Sequence, residues 1–380
     1  MTDTPPNGPL HTPSHGLELR SLVTADGVLR LSLDPVEIGE PGPDELVVRV
    51  EATPINPSDL GLLLGPADLA TLRREGEALV ADVPQARLAA LSARLGTAMP
   101  VGNEGAGTVV QAGADVQHLL GQRVGMLGGA MYATYRRIAA QACIPLPDGA
   151  SAADGASLFV NPLTALSMVE VLRREGHTAL IHTAAASNLG QMLVRLCLAD
   201  GIELVNIVRS PAQVALLRGI GARHVVDSSA ADFAEALTAA VTQTGATLAF
   251  DAVGGGSLAN TILHAMEAAA NDKAPGYSRY GSATYKQVYI YGGLDTGPTL
   301  IDRGFGLSWG VGGFLLTPFL AGIGAEAAQG LRDRVARDLT TIFASRYSRT
   351  ISLADALDPH VAADYARRAT GEKMLIDPSL

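Results

Sequence analysis

Lysine, cysteine and aromatic residues are all scarce in this chain. Of its 28 basic residues only three are lysine (Lys273, Lys286 and Lys373), and the formal net charge is −10. Nucleic-acid and anionic-membrane partners call for clustered basic side chains, so neither is expected. Two cysteines, Cys143 and Cys197, cannot build a disulfide framework or a cysteine-rich zinc lobe. Aromatic residues make up 4% of the chain against 42 glycines and 21 prolines, a balance that predicts many tight turns. No basic start followed by an apolar run occurs between Met1 and Gly16, so no secretory signal is expected and a cytoplasmic location is. The most apolar stretch, Trp309 to Ala325, is broken by glycines and by Pro318, and reads as interior strand and turn rather than a membrane span.

What is abundant is core-forming material. Hydrophobic residues are 47% of 380, enough for two globular domains. From Leu17 to Ala150, short valine-rich runs such as Glu45–Val50 and Gly107–Val110 alternate with Pro-Gly, Asn-Pro and Gly-Gly turns, which predicts an antiparallel barrel or sandwich. Residues 67–95, rich in Ala, Leu, Arg and Glu at helical spacing, predict a helical insertion over it.

From His177 the rhythm becomes strand, helix, strand, helix. Strands are expected at Thr178–Thr183, Glu203–Val208, His224–Val226, Thr247–Asp251 and Gln287–Tyr291, with helices at Leu189–Asp200, Ala231–Val241 and Gly256–Ala269. Ser210-Pro211-Ala212-Gln213 supplies a capping box that opens a further helix. Such alternation builds a doubly wound parallel sheet, so the fold class is α/β. A long helix near Ala325–Phe343 and a tail that returns to the first domain complete the reading. Residues 1–160 with 345–380 form one expected domain and 161–344 the other.

The candidate ligand site lies where the first strand of that sheet turns into its helix. A dinucleotide fingerprint places three small residues at a 3+3 spacing, and Ala184, Ser187 and Gly190 hold those places. Thr183, Ala184, Ala186, Ser187, Asn188, Leu189 and Gly190 are therefore candidate cofactor contacts. A plain strand-to-helix turn uses similar residues, so the next strand end matters. It has no acid for a ribose 2′-hydroxyl but has Arg209 and Ser210, which favours NADPH over NADH. Val253 and Gly254 at one later strand end, and Tyr291, Gly292 and Gly293 at another, would leave a crevice open.

Taken in order, Val48–Asp59 with its Asn56-Pro57-Ser58-Asp59, Gly102–Gly107, Asn161-Pro162-Leu163-Thr164-Ala165, the nucleotide turn and Gly371–Ile376 resemble the medium-chain dehydrogenase/reductase superfamily, over nearly all of residues 17–380. The similarity is to its zinc-free quinone oxidoreductase and enoyl-thioester reductase branches. It implies a GroES-like β-barrel catalytic domain built from both chain ends, a Rossmann domain between them and an active-site cleft where they meet. It also implies Asn56 and Thr164 near the nicotinamide end and Lys373 among the cofactor contacts. Where zinc enzymes of the superfamily carry a Cys and a His, this chain has Asn56-Pro57-Ser58-Asp59 and Asn103, so no metal is expected.

The expected activity is NADPH-dependent hydride transfer to a quinone or an α,β-unsaturated carbonyl. Enoyl-thioester reductases place a tyrosine shortly after the Asn-Pro-Ser-Asp motif, and Leu60 to Val101 contains none. Tyr132 is the candidate substitute proton donor. Reduction of an acyl-CoA or acyl-carrier-protein enoyl thioester is the first alternative, and a non-catalytic NADPH-binding protein the second. Tyr277–Ser282 reads as a surface loop and Gly310–Leu315 as an edge strand, and the resemblance implies that this edge pairs across a two-fold axis in a homodimer.

Overall fold

The computed structural model describes residues 14–274, 276–367 and 373–380. Residues 1–13 of the N-terminal stretch and Gly371 and Glu372 of the tail motif lie outside them. Backbone contacts divide the chain into Met1–Val160 with Ser345–Leu380, and Asn161–Ala344.

The first unit is built from two sheets. One runs Arg73–Glu75, Ala78–Asp82, Val28–Glu37, His15–Val23, Met99–Pro100. The other runs Cys143–Pro145, Arg123–Leu127, Glu104–Ala112, Glu45–Pro54, Met374–Ile376, Arg349–Ile351, with Tyr135–Ala139 also paired to Glu45–Pro54. The tail enters this sheet antiparallel, with Leu375 opposite Pro54 and Ile376 opposite Thr53. Leu19, Leu29, Leu31, Leu79, Val101, Tyr132 and Ile376 share one buried cluster, which joins both chain ends to the middle of the unit.

The helical insertion expected at 67–95 is mostly not helical. It contains the hairpin Arg73–Glu75 and Ala78–Asp82, and only one short α-helical turn, Gln85–Leu88. Gly76, at φ 62°, makes the hairpin turn. Ala78, Leu79, Val80 and Ala81 are all buried, and Leu79, Val80 and Ala81 pair with Val28–Glu37. Tertiary burial outweighs the helix propensity of Ala and Leu here.

The second unit carries a six-stranded parallel sheet in the order His224–Asp227, Glu203–Val208, Ala179–His182, Leu248–Asp251, Lys286–Ile290, Trp309–Gly313. The order reverses beside Ala179–His182, the topological switch point at which such sheets open a crevice. Gly201, left-handed at φ 67°, ends the helix Asn188–Asp200. Two expectations are corrected. Trp309–Ala325 is not strand and turn throughout: after Trp309–Gly313 it forms the helix Leu316–Ile323, apolar along its length yet with no buried residue. The long helix near Ala325–Phe343 stops at Arg337. No helix among the described residues is long and apolar enough to cross a membrane.

Candidate functional site

In the second unit, the turn after Ala179–His182 is tightly specified. Ala184 is left-handed at φ 50°, a conformation that costs a Cβ-bearing residue about 1 kcal/mol and that glycine adopts freely. Ser187 caps the helix, its Oγ accepting from the Gly190 N–H at 3.1 Å. A Cβ on Gly190 would stand 2.1 Å from the Ala185 carbonyl oxygen, so the helix can start this close to the strand only with glycine there. Thr183 differs from expectation. It is fully buried, its hydroxyl donates to Asp251 Oδ1 at 2.7 Å and accepts from the Ala252 N–H, so its side chain fixes the turn rather than facing a ligand.

Asp251 also accepts from the Val253 and Gly254 N–H groups, tying two strand ends together. The glycines expected to open the crevice answer to backbone proximity as well. A Cβ on Gly292 would meet the Ala252 carbonyl at 2.6 Å, and Gly254–Gly256 pairs with Asp295–Thr299 in a small extra sheet. Tyr291 is turned to the interior, where its hydroxyl meets His182 Nε2 at 2.7 Å. Burial pushes His182 down to about 3, so this imidazole is neutral.

Arg209 stands at the end of Glu203–Val208 with its side chain exposed, and its guanidinium forms no ion pair among the described residues. Ser210 Oγ caps the next helix through the Gln213 N–H, while the Gln213 side chain accepts from the Arg209 N–H rather than from that of Ser210. Thr164 is buried on the helix Val160–Glu175.

In the first unit, Asn56 lies in a buried polar cluster. Its Nδ2 donates to Glu104 Oε1 at 2.8 Å and its backbone N–H to Asp59 Oδ2 at 2.8 Å. Asp59 Oδ1 accepts from the Asn103 N–H at 2.9 Å, and Glu104 Oε2 from the Phe159 and Val160 N–H groups at 2.8 Å. Burial pushes the Asp59 carboxyl up to about 7 against the hydrogen bonds from Asn56 and Asn103. Burial also raises Glu104, against Lys373 and its N–H donors.

Lys373 is partly buried, and its Nζ donates to Ser157 Oγ at 2.5 Å. Burial draws its ammonium down to about 8, against the pull of Glu104 and Asp59. Tyr132 does not fit its expected place as proton donor. It has no exposed surface, its hydroxyl donates to the Pro54 carbonyl at 3.1 Å, and burial beside Asp59 raises its pKa well above the ordinary phenol value.

Among the described residues, no group of three or more His, Cys, Asp or Glu converges as metal ligands would. The donors nearest to a zinc set are already spent, since both oxygens of Asp59 and of Glu104 accept N–H groups. Asp59 and Glu104 thus have no carboxylate oxygen free of an N–H donor. Burial pushes the Cys143 thiol up to about 12 and raises Cys197 further.

Sequence reasoning named Asn56 as a candidate but not the side chains that hold it. Asp59 meets the Asn56 backbone three residues away, whereas Glu104 reaches its side chain only through a contact 48 residues apart.

Two family models match the chain: the alcohol dehydrogenase GroES-like domain over residues 42–148 and the zinc-binding dehydrogenase domain over residues 189–271, together half of the chain. A mitochondrial enoyl-[acyl-carrier-protein] reductase of Xenopus tropicalis is 29% identical over 57% of this chain and 58% of its own length. A phthioceranic/hydroxyphthioceranic acid synthase of Mycobacterium tuberculosis is 28% identical over 51% of this chain and 8% of the synthase. The chain thus spans about half the length of the enoyl reductases it matches and a small part of the synthase. Among solved structures, a protein of Mesorhizobium loti, provisionally named an NADPH:quinone reductase, superposes with a TM-score of 0.72 at 26% identity, covering 97% of this chain and 100% of that one. An enoyl thioester reductase of Candida tropicalis, in a mutant form, shares the fold at a TM-score of 0.64 and 19% identity, covering 96% and 99%. With the turn at Gly190, the parallel sheet and the tail strand that completes the first unit, these matches show that the chain belongs to the medium-chain dehydrogenase/reductase superfamily, in its quinone oxidoreductase and enoyl reductase-like branch.

Proposed function

We propose that the protein is an NADPH-dependent, zinc-independent reductase that reduces a quinone or an α,β-unsaturated carbonyl. The observation that carries this reading is the exposed, unpaired Arg209 at a strand end without an acid, downstream of a turn that closes on Gly190. A cation there suits a 2′-phosphate, whereas an acid would hold the 2′-hydroxyl of NADH. The turn from Ala184 to Leu189 and Gly190 would hold the pyrophosphate. Ser210 would stand with Arg209 at the 2′-phosphate, and Val253, Gly254, Gly292 and Gly293 would flank the nucleotide. Bound NADPH supplies hydride from its nicotinamide ring. Asn56 and Thr164 orient that end, and Lys373 brings positive charge. In this reading residues 161–344 bind the nucleotide, and residues 1–160 with 345–380 serve the acceptor.

Arg209→Glu is expected to raise the Michaelis constant for NADPH by roughly ten- to a hundredfold, the effect of losing one or two charge-assisted bonds of about 1.5–3 kcal/mol. The value for NADH should stay nearly constant. Equal effects on both nucleotides would remove Arg209 from the 2′-phosphate.

Reduction of an enoyl thioester is a second reading, favoured by the similarity to the enoyl-[acyl-carrier-protein] reductase. Against it stands the absence of any tyrosine between Leu60 and Val101.

The assembly in this reading is a homodimer. Among the described residues Trp309–Gly313 is an edge of the six-stranded sheet, and the adjoining helix Leu316–Ile323 leaves its large apolar residues only part-buried. Light scattering at micromolar concentration should give twice the 39.2 kDa chain mass, and a monomeric mass would refute the pairing.

A further inference from the structure

Two left-handed residues flank the switch point of the parallel sheet in the second unit. Ala184, at φ 50°, opens the turn after Ala179–His182, and Gly254, at φ 82°, follows the end of Leu248–Asp251. One side chain ties both in place. The Asp251 Oδ1 accepts the Thr183 hydroxyl at 2.7 Å and the Val253 N–H at 2.9 Å, and its Oδ2 accepts the Gly254 N–H at 3.1 Å. Thr183, the residue before Ala184, closes the ring by accepting from the Ala252 N–H at 2.8 Å.

Three donors converge on Asp251, and a carboxylate suits them because it offers acceptors alone. An amide in its place would turn nitrogen towards one of them. Asp251 and Thr183 have no exposed surface, whereas Ala184, Ser187, Asn188 and Val253 are partly exposed. The clamp therefore lies beneath the surface that a ligand touches. A strained backbone such as that of Ala184 persists where its surroundings over-determine it, and a loop ordered before binding spares the ligand the cost of ordering it.

We propose that Asp251 is a positioning residue for the bound nucleotide: through Thr183 it fixes the pyrophosphate turn, and through the Gly254 N–H it fixes the facing strand end, without touching the ligand itself. This rests on the NADPH reading above. The pyrophosphate is common to NADPH and NADH, so the clamp sets the affinity for both. The preference between them stays with Arg209, whose strand end is not part of the clamp.

The test is fluorescence titration of the full chain with NADPH and NADH beside its thermal midpoint. Adenosine 2′-phosphate, which carries the 2′-phosphate but no pyrophosphate, is titrated in competition with NADPH as the probe of a merely structural effect. Thr183→Val keeps the shape of the side chain and removes the hydroxyl that joins Asp251 to the turn. The dissociation constants for NADPH and NADH are each expected to rise about tenfold with their ratio unchanged, while adenosine 2′-phosphate binds within about twofold of the wild type. Thr183→Ser restores the hydroxyl and should bind both nucleotides within about threefold of the wild type.

A Thr183→Val protein that binds NADPH as the wild type does would overturn the proposal. A loss that Thr183→Ser shares, or one that extends equally to adenosine 2′-phosphate, would overturn it too. If Thr183→Val is too unstable to titrate, Asp251→Asn decides the matter, since its oxygen can face Thr183 and Val253 while its nitrogen faces the Gly254 N–H. An equal loss for both nucleotides with the probe unaffected supports the proposal, and binding like the wild type overturns it. Wild-type protein that binds no NADPH would overturn the nucleotide reading first, and this inference with it.

Discussion

Lys286→Met is expected to destabilise the second unit by about 3–5 kcal/mol, the usual consequence of leaving one half of a buried ion pair behind. Lys286 has no exposed surface, and its Nζ donates to Glu267 Oε2 at 2.7 Å, Ser282 Oγ at 3.1 Å and the Thr284 carbonyl at 2.9 Å. Burial alone would raise the Glu267 carboxyl, but Lys286 and Ser282 outweigh it and hold the group below its ordinary value. Without the lysine, that carboxylate keeps the two Ser282 donors and Asn271 Nδ2 but no cation. For a unit of this size the loss corresponds to a fall of roughly 10 °C in the unfolding midpoint. Lys286→Met combined with Glu267→Leu should recover most of it, because no unpaired charge then remains. A single variant that melts within 2 °C of the wild type would show that water reaches Glu267 as readily as Lys286 does.

Gly190→Ala should cost both stability and nucleotide affinity. The added Cβ would lie 2.1 Å from the Ala185 carbonyl oxygen and 2.7 Å from its Cα, all backbone that cannot rotate away. The turn must open, at about 3 kcal/mol or more, and the N–H groups proposed above to hold a pyrophosphate open with it. Gly330→Ala is the control. Gly330 lies within the helix Ala325–Arg337, its Cβ would meet nothing within 4 Å, and replacement should stabilise by about 0.5–1 kcal/mol. Equal melting and equal NADPH binding in Gly190→Ala would contradict the geometry assigned to the turn.

The parts of the fold that sequence alone made legible are those with local signals. The alternation of strands and helices after His177 is periodic, and its helices carry their own caps, Ser187 and Ser210 at their starts and Gly201 and Gly245 at two ends. Ala78–Asp82 carried no such signal, since Ala, Leu and Val between charged residues read equally well as helix until Val28–Glu37 pairs with them. Leu316–Ile323 misled in the other direction, because an apolar run normally predicts full burial and here its large side chains are only part-buried.

The candidate site divides in the same way. The tight turn at Gly190 was readable because a βα turn and the following strand end lie close in sequence. Tyr132 was not, since its hydroxyl is engaged by Pro54, 78 residues away. The carboxylate that orients Asn56 was likewise hidden, because antiparallel pairing of Glu45–Pro54 with Glu104–Ala112 is what brings Glu104 alongside. Long-range pairing of this kind leaves no trace in local spacing.

The central claim is nucleotide-dependent reduction that prefers NADPH. The direct measurement is a fluorescence titration of the purified protein with NADPH and with NADH, followed in the same cuvette by 1,4-benzoquinone and then crotonyl-CoA. The account predicts tighter binding of NADPH than of NADH and oxidation of the bound nucleotide on adding quinone. Oxidation by crotonyl-CoA alone would move the protein to the enoyl-thioester reading. Equal binding of both nucleotides, or binding of neither, would contradict the account.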